Sequence, residues 1–201
     1  MEHDLFTRLY KYKETENKSN LENYITEAFC YIMKYLIDSK NHIVIELMNL
    51  FDIPIANLEN TEIEIDTQKE TYIEQYNKHA RPDIKICING QQIYFIECKV
   101  DQNLNQYEDI GIDQIQLYET IKVPNKENCG VRLLSKYTIS TEGKQYSNFL
   151  DKHKIYWRQV YETLKKMDDN ILVKNFYIFW RKMIWVKSTN WYIPKNHTNI
   201  W

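Results

Sequence analysis

The stretch RPDIKICINGQQIYFIECK, residues 81–99, sets Asn89-Gly90 between two segments rich in Ile, Tyr and Phe. That pattern reads as a β-hairpin with strands at about 82–88 and 92–99. The same stretch carries Asp83, Glu97 and Lys99. Charged groups in a sheet are costly unless paired or bound to a cation, so these three call for a chemical reason. Residues two apart on a strand share a face, which puts Glu97 and Lys99 alongside Ile93 and Phe95. Where Asp83 falls depends on the loop. A two-residue turn pairs Ile88 with Gln91 and leaves Asp83 opposite Ile96, on the face away from Glu97. A three-residue loop, Asn89-Gly90-Gln91, pairs Ile88 with Gln92 and sets Asp83 across from Glu97. A site made of these residues therefore requires an odd-numbered loop or a bulge.

Two carboxylates facing each other across a strand pair repel unless a cation lies between them, and hard oxygen ligands suit Mg²⁺ or Mn²⁺ rather than zinc. The expected ligands are Asp83 and Glu97, with the backbone carbonyl of Cys98 as a further oxygen. The Cys98 side chain is expected in the opposite layer. Lys99 is placed to orient a water or to stabilise charge on a phosphate. Arg81, just before the motif, is a weaker candidate for a phosphate contact.

Outward from the hairpin, residues 20–38 space Tyr24, Ile25, Ala28, Phe29, Ile32 and Leu36 as an amphipathic helix does, and a shorter helix is expected over 42–51. Residues 61–73 alternate like a strand with one wet face. A helix near 112–122, a strand over 131–139 and two helices at 153–167 and 170–186 complete the expected α/β order, with a mixed central sheet. Neither a repeat nor a low-complexity linker interrupts the sequence, so 1–201 reads as one domain, with a core over about 20–140 and a helical part over about 150–190.

Hydrophobic residues make up 43% and charged residues 27% of the chain, an ordinary globular composition. No apolar run reaches bilayer length, and the first residues lack the apolar core of a signal peptide, so a cytoplasmic protein without a membrane partner is expected. The four cysteines form no C-x-x-C pair and read as free core thiols, and the five histidines lack zinc spacing. Charge is uneven: residues 1–120 hold 11 Lys and Arg against 22 Asp and Glu, and residues 121–201 hold 15 against 6. A basic half beside an acidic site suits a polyanionic substrate, although basic residues also simply solvate helices. Lys152, Lys154, Arg158, Lys165 and Lys166 are the candidates for a face that tracks a nucleic-acid backbone. The aromatic residues between Tyr156 and Trp201 are read mainly as core, with Trp191 and Trp201 as lesser binding candidates.

Pro82-Asp83 followed by Glu97-Cys98-Lys99 resembles the PD-(D/E)XK nuclease signature. The resemblance extends to a helical glutamate, Glu27 in LENYITEAF with Glu22 as the less favoured choice, and to Gln114 and Tyr118 in DQIQLYETI, which match a Gln-x-x-x-Tyr motif. Residues 20–140 carry it. It implies a restriction-endonuclease-like αβββαβ core with extra C-terminal helices and a metal-dependent endonuclease. Its implied site consists of Asp83, Glu97, Lys99, Glu27 and Gln114, and the implied substrate is nucleic acid, DNA ahead of RNA. A homodimer is compatible with this reading. The alternatives are a non-cleaving nucleic-acid or protein-binding module on the same fold, or a hydrolase of small phosphate esters.

Overall fold

The computed structural model of the chain describes residues 20–100, 103–139, 146, 149 and 154–185. Its first elements are α1 (Asn20–Asp38), α2 (Ile43–Leu50), β1 (Ile63–Thr67), β2 (Thr71–Ile73), β3 (Lys78–Ala80), β4 (Ile84–Ile88) and β5 (Gln92–Lys99). They are followed by β6 (Gln106–Tyr107), β7 (Ile112–Asp113), α3 (Gln114–Glu119), β8 (Glu127–Ser135), β9 (Lys154–Tyr156), α4 (Trp157–Leu164) and α5 (Ile171–Trp185). The central sheet runs β1-β4-β5-β8-β9. Its β1, β4 and β5 are antiparallel neighbours, whereas β8 and β9 add in parallel, so the sheet is mixed.

The hairpin loop has three residues. Ile88 pairs with Gln92 and Ile84 with Ile96, the register that carries Asp83 across from Glu97. Two consecutive left-handed residues make the turn, Asn89 at φ 51° and Gly90 at φ 65°. Asn and Gly are the residues that reach this region at least cost. Asn89 is further held by β1's lead-in: its amide donates to the Glu62 carbonyl at 2.9 Å and its Oδ1 accepts from the Glu62 amide at 2.9 Å.

Alternation along the strands divides the core into two layers. Ile84, Ile86, Ile88, Tyr94, Ile96 and Cys98 pack with α1, α2, α4 and α5. Cys87, Ile93, Phe95, Val131 and Leu133 pack instead under α3 and the short hairpins β2–β3 and β6–β7. Removing this apolar area from water is the main force holding the layers together. Arg132, 3% exposed, ties β8 to the end of α2 by donating to the carbonyls of Phe51 (2.6 Å) and Asp52 (3.2 Å). Among the described residues no helix is long and apolar enough to cross a membrane.

Four expected elements differ. The strand expected over 61–73 breaks at Gln68, whose φ of 48° turns the chain out of the sheet, so 71–73 pairs with β3 in a separate ribbon. The helix expected over 112–122 is shorter, because Asp113 caps it: Asp113 Oδ1 accepts from the Gln116 amide at 3.0 Å, and the Asp113 amide donates to Gln116 Oε1 at 2.9 Å. The segment expected to open a helix at 153 first forms β9 beside β8, and α4 starts at Trp157. The strand expected over 131–139 lies earlier, over 127–135.

Candidate active site at the end of the hairpin

Asp83 stands just before β4 and accepts at Oδ2 from the Cys98 amide, 2.8 Å away. This bond fixes the carboxylate against the last turns of the β5 pleat. Glu97 is 1% exposed; its Oε1 lies 2.6 Å from Lys99 Nζ, while its Oε2 is buried without a partner. Lys99 is likewise buried and lies 3.6 Å from Glu22 Oε1. Glu22 in turn accepts from the Val100 amide at 2.9 Å through Oε2. Thus α1 reaches over the sheet end with its first turn and places a third carboxylate beside the lysine.

Electrostatics follow from this crowding in a dry place. Burial, and then the charge of Asp83, hold Glu97 well above the ordinary carboxylate range, and the neighbouring Lys99 offsets only part of it. Burial pushes Asp83 up to about 6 against the opposing pull of the Cys98 amide and Lys99. For Lys99, burial disfavours the charge but the carboxylates of Glu97 and Glu22 outweigh it, so its pKa is raised and the ammonium persists.

These groups form the floor of a cleft of about 370 Å³. Segment 105–118 contributes Asn105, Tyr107, Gln114 and Tyr118, and Asn23, Gln68, His79 and Arg81 complete the lining. Gln114 Nε2 donates to the Tyr118 hydroxyl at 2.8 Å, and that hydroxyl donates to the Arg81 carbonyl at 3.1 Å. The Gln-x-x-x-Tyr pair, buried at both residues, therefore ties α3 to the Arg81 carbonyl at the cleft wall. Tyr118 itself is packed in the core.

The structure brings Asp83, Glu97, Lys99 and Gln114 together and leaves Glu27 out of the cleft lining. Glu22 takes the place expected for Glu27. The two are five residues apart on one helix, about 140° around its axis and roughly 7.5 Å along it, so they cannot serve the same spot. Glu27 is 4% exposed within the helical layer. Glu22→Gln is expected to slow any reaction at this site about tenfold or more, since it unties Lys99, whereas Glu27→Gln leaves the rate per folded molecule unchanged; single-turnover assays on both variants decide. The Cys98 side chain lies in the helical layer, as expected, and burial raises its thiol pKa.

Among the described residues no three of His, Cys, Asp and Glu converge as a ready metal cage. Asp83 and Glu97 make a two-carboxylate pair. Lys154, Arg158, Lys165 and Lys166 do not line the cleft, and Lys166 is ion-paired with Glu46. Lys152, Trp191 and Trp201 lie outside the described residues. Asn23, Gln68, Asn105 and Tyr107 line the cleft without having been singled out from sequence; they are polar residues of a helix start, two loops and the two-residue strand β6, with no spacing to mark them. No family model, curated protein or solved structure matches the chain.

Proposed function

We propose that the chain is a metal-dependent nuclease of the PD-(D/E)XK type on a restriction-endonuclease-like core, hydrolysing phosphodiester bonds in nucleic acid, DNA ahead of RNA. The observation that carries this reading is the hairpin register, which sets Asp83 across from Glu97, together with Lys99 lying 2.6 Å from the glutamate. Glu97 Oε2, buried and without a partner, is the kind of oxygen that a hard divalent cation satisfies. Mg²⁺ or Mn²⁺ fits this donor set, because such ions commonly take one or two carboxylates and complete their shell with water and phosphate. Asp83 and Glu97 would hold it. The Cys98 carbonyl is a further oxygen, since an extended residue directs its N–H and C=O to the same edge and the Cys98 amide already meets Asp83.

When bound, such a cation lowers the pKa of a coordinated water and polarises the phosphate. The chain's own groups do the rest. Lys99 is kept charged and aimed by Glu22 and Glu97, so it can hold the attacking water or neutralise charge that builds on the phosphate oxygens. Gln114, anchored through Tyr118, presents its amide at the cleft wall and positions substrate.

The test is incubation of supercoiled plasmid, linear duplex, single-stranded DNA and RNA with the full chain in Mg²⁺, Mn²⁺ or EDTA, beside Asp83→Asn. Cutting that needs metal and is lost in the variant is expected. A folded chain that binds these polymers and cuts none of them, with either metal, is a non-cleaving binding module instead.

A further inference from the structure

One side of the cleft mouth carries a surface that the cleavage chemistry does not require. In the β2–β3 ribbon, Tyr72 and His79 are direct cross-strand partners, so they stand on the same face. Their ring centroids are 5.2 Å apart, tilted by 52°. Both are open to solvent: Tyr72 is 51% exposed and the His79 side chain 61%. The opposite face of the ribbon is apolar and inward, with Ile73 and Ala80 in the core. The exposed pair is nonetheless held in place. The Tyr72 hydroxyl donates to Asn77 Oδ1 at 2.6 Å, and His79 Nδ1 lies 3.6 Å from Glu70 Oε1. The ribbon is fastened by Lys78, whose Nζ is 2.7 Å from Asp109 Oδ2 in the β6–β7 turn.

Two residues beyond His79 comes Arg81, also at the cleft lining. Its Nε donates to the Gln68 carbonyl at 2.9 Å and its Nη2 to Gln68 Oε1 at 2.8 Å, while Gln68 Nε2 donates to Asn23 Oδ1 at 2.9 Å. Both bonds use one edge of the guanidinium. The Nη1–Nη2 edge, the other fork of a bidentate donor, is left for a ligand, on a side chain whose orientation is already fixed.

We propose that this face is a subsite for one unpaired nucleotide flanking the scissile phosphate: Arg81 takes the neighbouring phosphate on its open edge, and the base stacks on the Tyr72–His79 pair. The proposal rests on the nuclease reading and adds a substrate class to it, strands that are single-stranded or frayed on the ribbon side of the cleft. In a continuous duplex both faces of each base are covered by its neighbours, so two exposed rings have nothing to stack against; an unpaired base offers its face.

The experiment is fluorescence anisotropy with the full chain in Ca²⁺, using fluorescein-labelled single-stranded DNA, single-stranded RNA, a blunt duplex and the same duplex with a four-nucleotide overhang. Tyr72→Ala is expected to weaken binding to the single strands and the overhang about tenfold, in line with the loss of one base stack, and to leave the blunt duplex within about twofold. Tyr72→Phe, which keeps the ring and loses the bond to Asn77, should bind like wild type. Arg81→Gln should weaken every form and lower the salt dependence. Equal weakening of blunt duplex and single strand by Tyr72→Ala, or no weakening of either, overturns the subsite. So does loss in Tyr72→Phe equal to that in Tyr72→Ala, which would mark a structural tyrosine. Wild type that cuts nucleic acid while Tyr72→Ala binds normally removes the subsite alone; wild type that neither binds nor cuts any of the four removes the nuclease reading with it.

Discussion

If the chain is the proposed nuclease, Lys99→Ala is expected to cleave about 10²–10³-fold more slowly than wild type at saturating Mg²⁺, the range seen when one pre-set charge-stabilising donor is removed from a dry site. The loss should fall on the rate and spare metal binding, because the proposed ligands Asp83 and Glu97 remain and one positive charge leaves the pocket. Single-turnover rates measured against Mg²⁺ concentration separate the two effects. Lys99→Arg keeps the charge but brings a planar fork where Glu97 and Glu22 now enclose a compact ammonium, so it recovers little of the rate. A Lys99→Ala chain that is folded, binds metal and cuts at the wild-type rate would take Lys99 out of the chemistry. Thermal melts belong beside the kinetics, since removing one member of a buried charge cluster costs stability as well.

Stability of the metal-free chain is expected to fall as pH rises from about 4 to 8. Asp83 has a folded pKa of about 6 against an ordinary value of 3.8, so between these values the folded chain holds a proton that the unfolded chain has released. The folded state is then progressively disfavoured as that proton is lost, by on the order of 2–3 kcal/mol across the window. Glu97, raised by burial and by Asp83, extends the decline to higher pH. A divalent cation held by these carboxylates would compete with the protons. On the proposed metal site, Mg²⁺ at about a hundred times its dissociation constant is expected to stabilise the chain at pH 8 by about 2.7 kcal/mol and to leave it nearly unchanged at pH 4.5, where the carboxyls are protonated. Melts in EDTA and in Mg²⁺ at both pH values check this. Equal Mg²⁺ shifts at both pH values would show that the ion binds elsewhere, and an Asp83→Asn chain should show a shallower pH slope than wild type.

The hairpin was legible in the sequence because strand faces alternate strictly: once a cross-strand site was required, only an odd loop would serve, and Asn89, Gly90 and Gln91 form one. The floor of the site, Asp83, Glu97 and Lys99, follows from that parity. The third carboxylate was harder to read. Glu22 and Glu27 both sit on a clear amphipathic helix, and what selects Glu22 is how far α1 projects past the sheet end to meet the Val100 amide, a tertiary distance that helical periodicity does not encode. The ribbon β2–β3 was hidden for a similar reason. Residues 61–73 alternate continuously, and only the left-handed turn at Gln68, tied through its amide to the Asp83 carbonyl at 3.1 Å, shows that the chain leaves the sheet there. The edge strand β9 is three residues long, too short to show a period of two, and it borders a helix whose first residue, Trp157, is itself core.

The central claim is that the carboxylates gathered on one face of the hairpin hold a divalent cation, and Mn²⁺ binding followed by electron paramagnetic resonance tests it most directly. The free-ion signal of Mn²⁺ should be quenched on titration with the wild-type chain, recovered by excess Mg²⁺, and left largely unquenched by Asp83→Asn, with Glu27→Gln behaving like wild type. Equal quenching by wild type and Asp83→Asn, or none by the folded wild type, would contradict it.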